Sequence, residues 1–187
     1  MLALGALFLA ACTNLPSPPV AGSHFAGRFS LSLGPGLAAD SPTPPAGGPW
    51  TGRFALQLDG EAMTLDLSTS LGATIARFET DAREARLLVP DGGRVRVERG
   101  ADAQALSERV LGWSLPLAGL PDWIQGHPSV SRPHTALSGE EPGLGFEQDG
   151  WQVRVAPPPA RRLQMNRPAL PGLPAVALRV VLDEPGP

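Results

Sequence analysis

The fold follows from the stretch Gly27-Arg28-Phe29-Ser30-Leu31-Ser32-Leu33, which Gly52-Arg53-Phe54-Ala55-Leu56-Gln57-Leu58 nearly repeats. In each copy a large apolar residue occupies every second position. Successive side chains of a strand point to opposite faces, so this period of two predicts two strands that each bury one face. Residues 34–49, between the copies, are rich in Gly, Pro and Ala and predict a loop at one rim of the sheet.

The same strand pattern continues along the chain after the second copy. It covers residues 63–69, 74–80, 85–89, 94–98, 143–148, 151–155, 163–165 and 175–183. The connections are too short for crossover helices, which predicts an antiparallel meander. The total is about ten or eleven strands, and an antiparallel sheet of that size should curl toward a barrel.

A helical section interrupts the strands. Asp102 is suited to cap its start and Gly112 to end it. The apolar residues that recur at helical spacing are Ala103, Leu106, Val110 and Trp113. A second short helical piece is expected within residues 115–124. Two interpretations of residues 111–124 stay open: ordinary buried core, or a lid over an apolar cavity.

Composition and motifs argue against several classes of function. The chain has 187 residues and a formal net charge of -3, so no basic surplus exists to bind nucleic acid. His24, His127 and His134 have no spacing typical of metal ligands. No Ser lies in a Gly-x-Ser-x-Gly elbow, and the carboxylates are scattered. We therefore expect no enzyme and no metal or other cofactor.

The N-terminus predicts export and lipidation. Residues 1–11 are too short to span a bilayer but fit the apolar core of a secretory signal. Leu9-Ala10-Ala11-Cys12 then looks like a bacterial lipobox, and Cys12 is the only Cys of the chain. The alternative is a cytosolic chain with a buried Cys. The expected organisation is a signal at 1–11, the lipidated Cys12 with a flexible tether at 12–24, a single domain at 25–184 and a tail at 185–187.

One predicted turn has an apolar tip. Ser70-Leu71-Gly72-Ala73 joins two strands, whereas turns normally carry polar residues. Either Leu71 folds back onto the core, or it forms an exposed apolar finger that touches lipid.

Several of these segments resemble one protein family. Residues 111–128 resemble the signature stretch of the LolB family of outer-membrane lipoprotein receptors. Residues 67–74 resemble that family's strand–Pro-Leu-Gly–strand turn, with Ser70 in place of Pro. Residues 50–54 and 150–153 resemble its other Trp-bearing strands, and the order is collinear from about residue 27 to residue 183. Two departures are a longer loop at 34–49 and Glu184-Pro185 where a Trp is expected after Asp183.

The resemblance implies a mostly β (α+β) fold: an open, incomplete antiparallel β-barrel with a helical insert that plugs an apolar cavity. The cavity would accept the acyl chains of lipoproteins from LolA, the periplasmic carrier, and release them into the inner leaflet of the outer membrane. Thr13 after Cys12, rather than Asp, implies sorting to the periplasmic face of the outer membrane. Leu71 would dip into the bilayer, and the protein would be a monomer that is not an enzyme.

The residues expected to line the cavity come from the alternating strands and the helical section. They are Phe29, Leu31, Phe54, Leu56, Leu65, Leu67, Leu106, Val110, Trp113, Leu117, Trp123 and Ile124. Two other functions stay open at this point. One is a lipid-anchored binding or assembly protein of the same fold for a glycolipid or a quinone, and the other is a lipoprotein hydrolase.

The lipobox yields the first prediction. Cys12→Ala removes the thiol that would carry the lipid, so the variant should remain unprocessed or become soluble. Fractionation of cell membranes measures this. A variant that still accompanies the outer membrane as wild type does would contradict the anchor.

Overall fold

Eleven strands form one antiparallel sheet in the computed structural model of the protein, which describes residues 22–34, 49–91, 93–139, 144–156 and 161–184. The predicted signal, Cys12, most of the tether, most of the 34–49 loop and the tail lie outside the described residues. The elements are β1 (Ser23–Leu33), β2 (Trp50–Asp59), β3 (Ala62–Thr69), β4 (Thr74–Thr80), β5 (Ala85–Asp91), β6 (Arg94–Gly100), α1 (Ala103–Leu111), α2 (Leu120–Trp123), β7 (Thr135–Ala136), β8 (Gly145–Gln148), β9 (Trp151–Val155), β10 (Arg162–Arg167) and β11 (Val176–Leu182).

The strand order shows that the sheet is open. It runs β6-β5-β4-β3-β2-β1-β11-β10-β9-β8-β7, so β6 and β7 are edges that do not pair with each other. The first and last strands of the chain meet at the centre, where β1 pairs with β11. This confirms the predicted class: mostly β, with an incomplete antiparallel sheet and a short helical insert.

The near-repeat forms a reciprocal pair at the centre of the sheet. Gly27 lies opposite Phe54, and Phe29 lies opposite Gly52. A Cβ atom added at Gly27 would stand 2.9 Å from the Phe54 ring, and one at Gly52 would stand 2.8 Å from the Phe29 ring. Each ring therefore packs over the bare backbone of the opposite glycine, which explains why Gly precedes Phe by two residues in both copies.

The helix α1 begins and ends at the predicted capping residues. The Asp102 side chain accepts a hydrogen bond from the backbone N–H of Ala105 at 2.6 Å, and Gly112 ends α1 in the left-handed region at φ 77°. The second piece is helical only at Leu120–Trp123. Gly119 precedes it because a Cβ there would lie 2.2 Å from the Trp123 indole. Neither helix of the described chain is long and apolar enough to cross a membrane.

Most strand boundaries differ from the expectation by one or two residues, and the start of β1 and the whole of β7 differ more. β1 begins at Ser23, four residues before the predicted start, so His24 lies in a strand opposite Gln57. Ser23 and His24 are exposed, so no apolar alternation marks this end of β1. The sequence pattern also missed β7, because two exposed residues are too short to show a period.

A buried glutamine joins the sheet to the segment that precedes β7. The Gln148 Oε1 atom accepts hydrogen bonds from Trp123 Nε1 at 2.8 Å and from the Ser129 backbone N–H at 2.9 Å. Its Nε2 atom donates to the carbonyl oxygens of Ser129 and Arg132 at 2.9 and 3.0 Å. The side chain is only 2% exposed, so these bonds lie out of water.

Gln148→Leu should lower the free energy of unfolding, because it leaves two buried N–H donors without an acceptor. Each such donor costs about 1–3 kcal/mol. Denaturant titration measures the change, and Gln57→Leu, which replaces an exposed glutamine of β2, is the matched control. Equal stability of the two variants would show that Gln148 does not anchor this segment.

Candidate functional site: an apolar cavity under the helical segment

A cavity lies between the inner face of the sheet and the segment 113–124, which we call the cover. The sheet side comes from β1, β2, β3 and β11. Every lining residue is aliphatic, aromatic or proline: Phe29, Leu31, Trp50, Phe54, Leu65, Leu67, Trp113, Leu115, Pro116, Leu120, Ile124, Leu178 and Val180. The cavity volume is about 40 Å³. Pockets that enclose small organic ligands measure roughly 300–1,000 Å³, so the cover is closed in this structure.

The twelve residues expected to line the cavity fall into two groups. Seven line it: Phe29, Leu31, Phe54, Leu65, Leu67, Trp113 and Ile124. The other five pack in the surrounding core and do not line it: Leu56, Leu106, Leu117 and Trp123 are buried, and Val110 is half-buried. Both open interpretations of residues 111–124 therefore describe part of the arrangement, because these residues are buried and also roof a cavity.

Six residues that line the cavity were not predicted from the sequence. Leu178 and Val180 alternate on the predicted strand 175–183, so the period of two could have found them. Trp50 lies at the first position of β2, two residues before the predicted start, and its ring meets Phe29 edge-on at 5.9 Å between centroids. Leu115, Pro116 and Leu120 lie in a stretch without regular periodicity, where no pattern indicates which side chains face inward.

Polar contacts hold the cover near both of its ends and at its midpoint. Near α1, the buried Ser107 hydroxyl accepts a hydrogen bond from the Leu115 backbone N–H at 3.1 Å. At the other end, Trp123 Nε1 donates to Gln148. Arg132 Nη2 also donates to the Ala118 carbonyl at 2.8 Å. Between these points the cover faces the sheet with apolar side chains.

Leu71 forms the exposed tip of the β3–β4 turn. Its side chain is 99% exposed, so it does not fold back onto the core. The turn is well defined, because Gly72 N–H donates to the Thr69 carbonyl at 2.9 Å and Thr69 N–H donates to the Ala73 carbonyl at 2.8 Å. Gly72 has a φ of 90°, which glycine adopts without strain.

Further exposed apolar side chains lie at the same end of the sheet as Leu71, among them Val95 beside the β5–β6 turn, which is 59% exposed. Val130 is 96% exposed and follows Ser129, which Gln148 holds at the end of β8. Leu170 is 39% exposed in the connection from β10 to β11. The strand pairing places the β3–β4 turn, the β8–β9 turn and this connection at one end, which we call the Leu71 end. The sequence reasoning missed Val130 and Leu170, because their shared location depends on long-range pairing.

The titratable groups form no recognisable catalytic arrangement in the described part of the chain. No cluster of three or more His, Cys, Asp or Glu residues that could hold a metal is found there. His127 and His134 are exposed. Asp81, at the opposite end of the sheet from Leu71, accepts backbone hydrogen bonds from Arg83 and Glu84, which lower the pKa of its carboxyl. This carboxylate stabilises a turn.

Comparison with known proteins identifies the family. The family described as "Outer membrane lipoprotein LolB" matches residues 36–184. A protein of Bordetella petrii named "Outer-membrane lipoprotein LolB" is 32% identical, over 79% of this chain and 72% of its own length. A protein of the same name from Cupriavidus pinatubonensis is 32% identical over 98% of this chain and 92% of its own length. The chain that builds this apolar cavity thus belongs to the LolB family, and it is a lipid-anchored lipoprotein of the outer membrane.

Proposed function

We propose that the protein is the receptor that accepts lipoproteins from a LolA-type periplasmic carrier and inserts them into the inner leaflet of the outer membrane. The observation that carries this proposal is the wholly apolar cavity between sheet and cover, in a chain of this family. Burying one methylene group stabilises by about 0.8 kcal/mol. Transfer of an acyl chain of about 15 methylenes from water into an apolar cavity is therefore favourable by on the order of 12 kcal/mol. Such cargo requires an apolar cavity at each step of its route.

Binding of an acyl chain requires the cover to move. The closed cavity of about 40 Å³ is far smaller than a chain, so Trp113, Leu120 and Ile124 must leave the sheet when cargo enters. An acyl chain offers the sheet the same apolar contacts that these side chains offer in the closed form. The exchange therefore costs little hydrophobic free energy, because apolar area that opening exposes is covered again by the ligand.

The handover needs no covalent chemistry. Only noncovalent contacts of the acyl chains change, so a gradient of affinity from carrier to receptor to bilayer is sufficient to drive it. The function is transport rather than catalysis, and no cofactor is required.

The anchor and the apolar tip would act together at the membrane. Cys12 would carry the lipid and hold the protein at the membrane, where the Leu71 end of the sheet would contact the bilayer. An exposed Leu is disfavoured in water by about 1.5–3 kcal/mol relative to burial, and the acyl region of the membrane would provide that burial.

Leu71→Glu should fold normally and accept lipoprotein from the carrier, but it should fail to deliver the cargo to membranes. The side chain is almost fully exposed, so the substitution removes no core contact, whereas a carboxylate enters the acyl region only at high cost. Transfer of a labelled lipoprotein, first from carrier to receptor and then from receptor to vesicles, measures the two steps separately.

Ala82→Glu is the control for this experiment, because it places the same carboxylate on an exposed turn at the opposite end of the sheet. It should deliver cargo at the wild-type rate. Delivery by Leu71→Glu at the wild-type rate would exclude the tip as the membrane contact. Loss of carrier-to-receptor transfer in the folded variant would show that Leu71 acts at the earlier step.

A further inference from the structure

Four arginines gather on the outer face of the sheet, opposite to the cavity. They are Arg28 of β1, Arg53 of β2, Arg162 of β10 and Arg179 of β11, and together we call them the arginine face. They alternate with the buried residues of their strands, so their side chains point away from the core. All four line one surface depression.

The arrangement is electrostatically unfavourable in the isolated protein. Arg28 lies directly opposite Arg53 on the neighbouring strand, and like charges in that position repel each other. Asp183 pairs with Arg53 at 3.1 Å, whereas Arg28, Arg162 and Arg179 make no ion pair with the described carboxylates. The whole chain carries a formal net charge of -3, so the arginine face is a local region of positive charge on a protein that is negative overall. An anionic partner would relieve the repulsion.

The arginine face adjoins the Leu71 tip. Ser70, the neighbour of Leu71, lines the same depression. Arg53 lies opposite Ser68, three residues before Leu71, which corresponds to about 10 Å at about 3.3 Å per residue. The polar headgroup layer of a bilayer is about 5–8 Å thick on each side. A Leu71 side chain inside the acyl region thus places Arg53 and its neighbours at the level of the phosphates.

We infer that the arginine face binds the phosphate groups of anionic phospholipids while Leu71 enters the acyl region. This inference rests on the proposed membrane contact of Leu71 and adds the lipid class that the receptor recognises. Guanidinium groups suit this ligand, because they donate paired hydrogen bonds to phosphate oxygens and remain charged at any physiological pH. Binding of phosphates by the arginine face would also orient the receptor, with the β2-β1-β11-β10 side of the sheet inclined toward the bilayer.

The test measures vesicle binding without carrier or cargo, so it is scored independently of lipoprotein transfer. The full chain with Cys12→Ala, which removes the lipid anchor, is floated with vesicles of phosphatidylcholine, with or without phosphatidylglycerol. The test variant adds Arg28→Gln and Arg179→Gln. The matched control adds Arg83→Gln and Arg99→Gln, which remove two exposed arginines from the end of the sheet opposite to Leu71.

We expect phosphatidylglycerol to strengthen binding and added salt to weaken it. Removing Arg28 and Arg179 from the membrane-facing surface should weaken binding to the anionic vesicles about thirtyfold. The control pair should change it less than about threefold, since charges beyond a Debye length of about 8–10 Å are largely screened. Equal binding to neutral and anionic vesicles, or equal losses in the two double variants, would overturn the inference.

One further outcome would assign the arginine face to a different ligand. If the Arg28→Gln, Arg179→Gln protein binds anionic vesicles as wild type does but no longer accepts cargo from the carrier, the arginine face would be a docking site for an acidic protein. The lipid inference would then be wrong.

Discussion

The structure depends on one constraint: the apolar inner face of an open sheet must be covered by something other than the sheet. A closed barrel covers its own interior, but here β6 and β7 remain unpaired edges. The segment from α1 to Ile124 supplies the missing surface, and buried residues such as Leu106, Leu117 and Trp123 are its contribution to the core. The cavity, the cover and the two unpaired edges thus all follow from the fact that the sheet does not close into a barrel.

The same constraint links packing to function. The cover is held by directional polar contacts at Leu115, Ala118 and Trp123, whereas it touches the sheet through apolar side chains that have no directional requirement. Apolar contacts are exchanged for a ligand of similar chemistry more easily than hydrogen bonds are, because dispersion and burial do not depend on a specific partner. Opening the cover thus exchanges its apolar contacts with the sheet, whereas its polar contacts to Ser107, Gln148 and Arg132 lie outside the cavity lining.

Sequence alone predicts the elements well and the site in part. The period of two finds ten strands, and the capping residues Asp102 and Gly112 bound α1 where expected. Seven of the expected cavity residues line the cavity. The other five depend on tertiary packing, which decides whether an inward residue such as Leu56 of β2 or Leu106 of α1 faces the cavity or the packed core. The arginine face depends on the pairing of β1 with β11, about 150 residues apart, and no local pattern contains that information.

On the proposed function, an acyl chain enters between the sheet and the cover. Quenching of tryptophan fluorescence by a brominated fatty acid tests it directly, because bromine quenches on contact and Trp113 lines the cavity whereas Trp151 does not. The full chain with Cys12→Ala should show saturable quenching. The additional change Trp113→Phe should remove a large part of that quenching, and Trp151→Phe should not, with circular dichroism unchanged in both. Absence of saturable quenching, or a larger loss in Trp151→Phe than in Trp113→Phe, would contradict the claim.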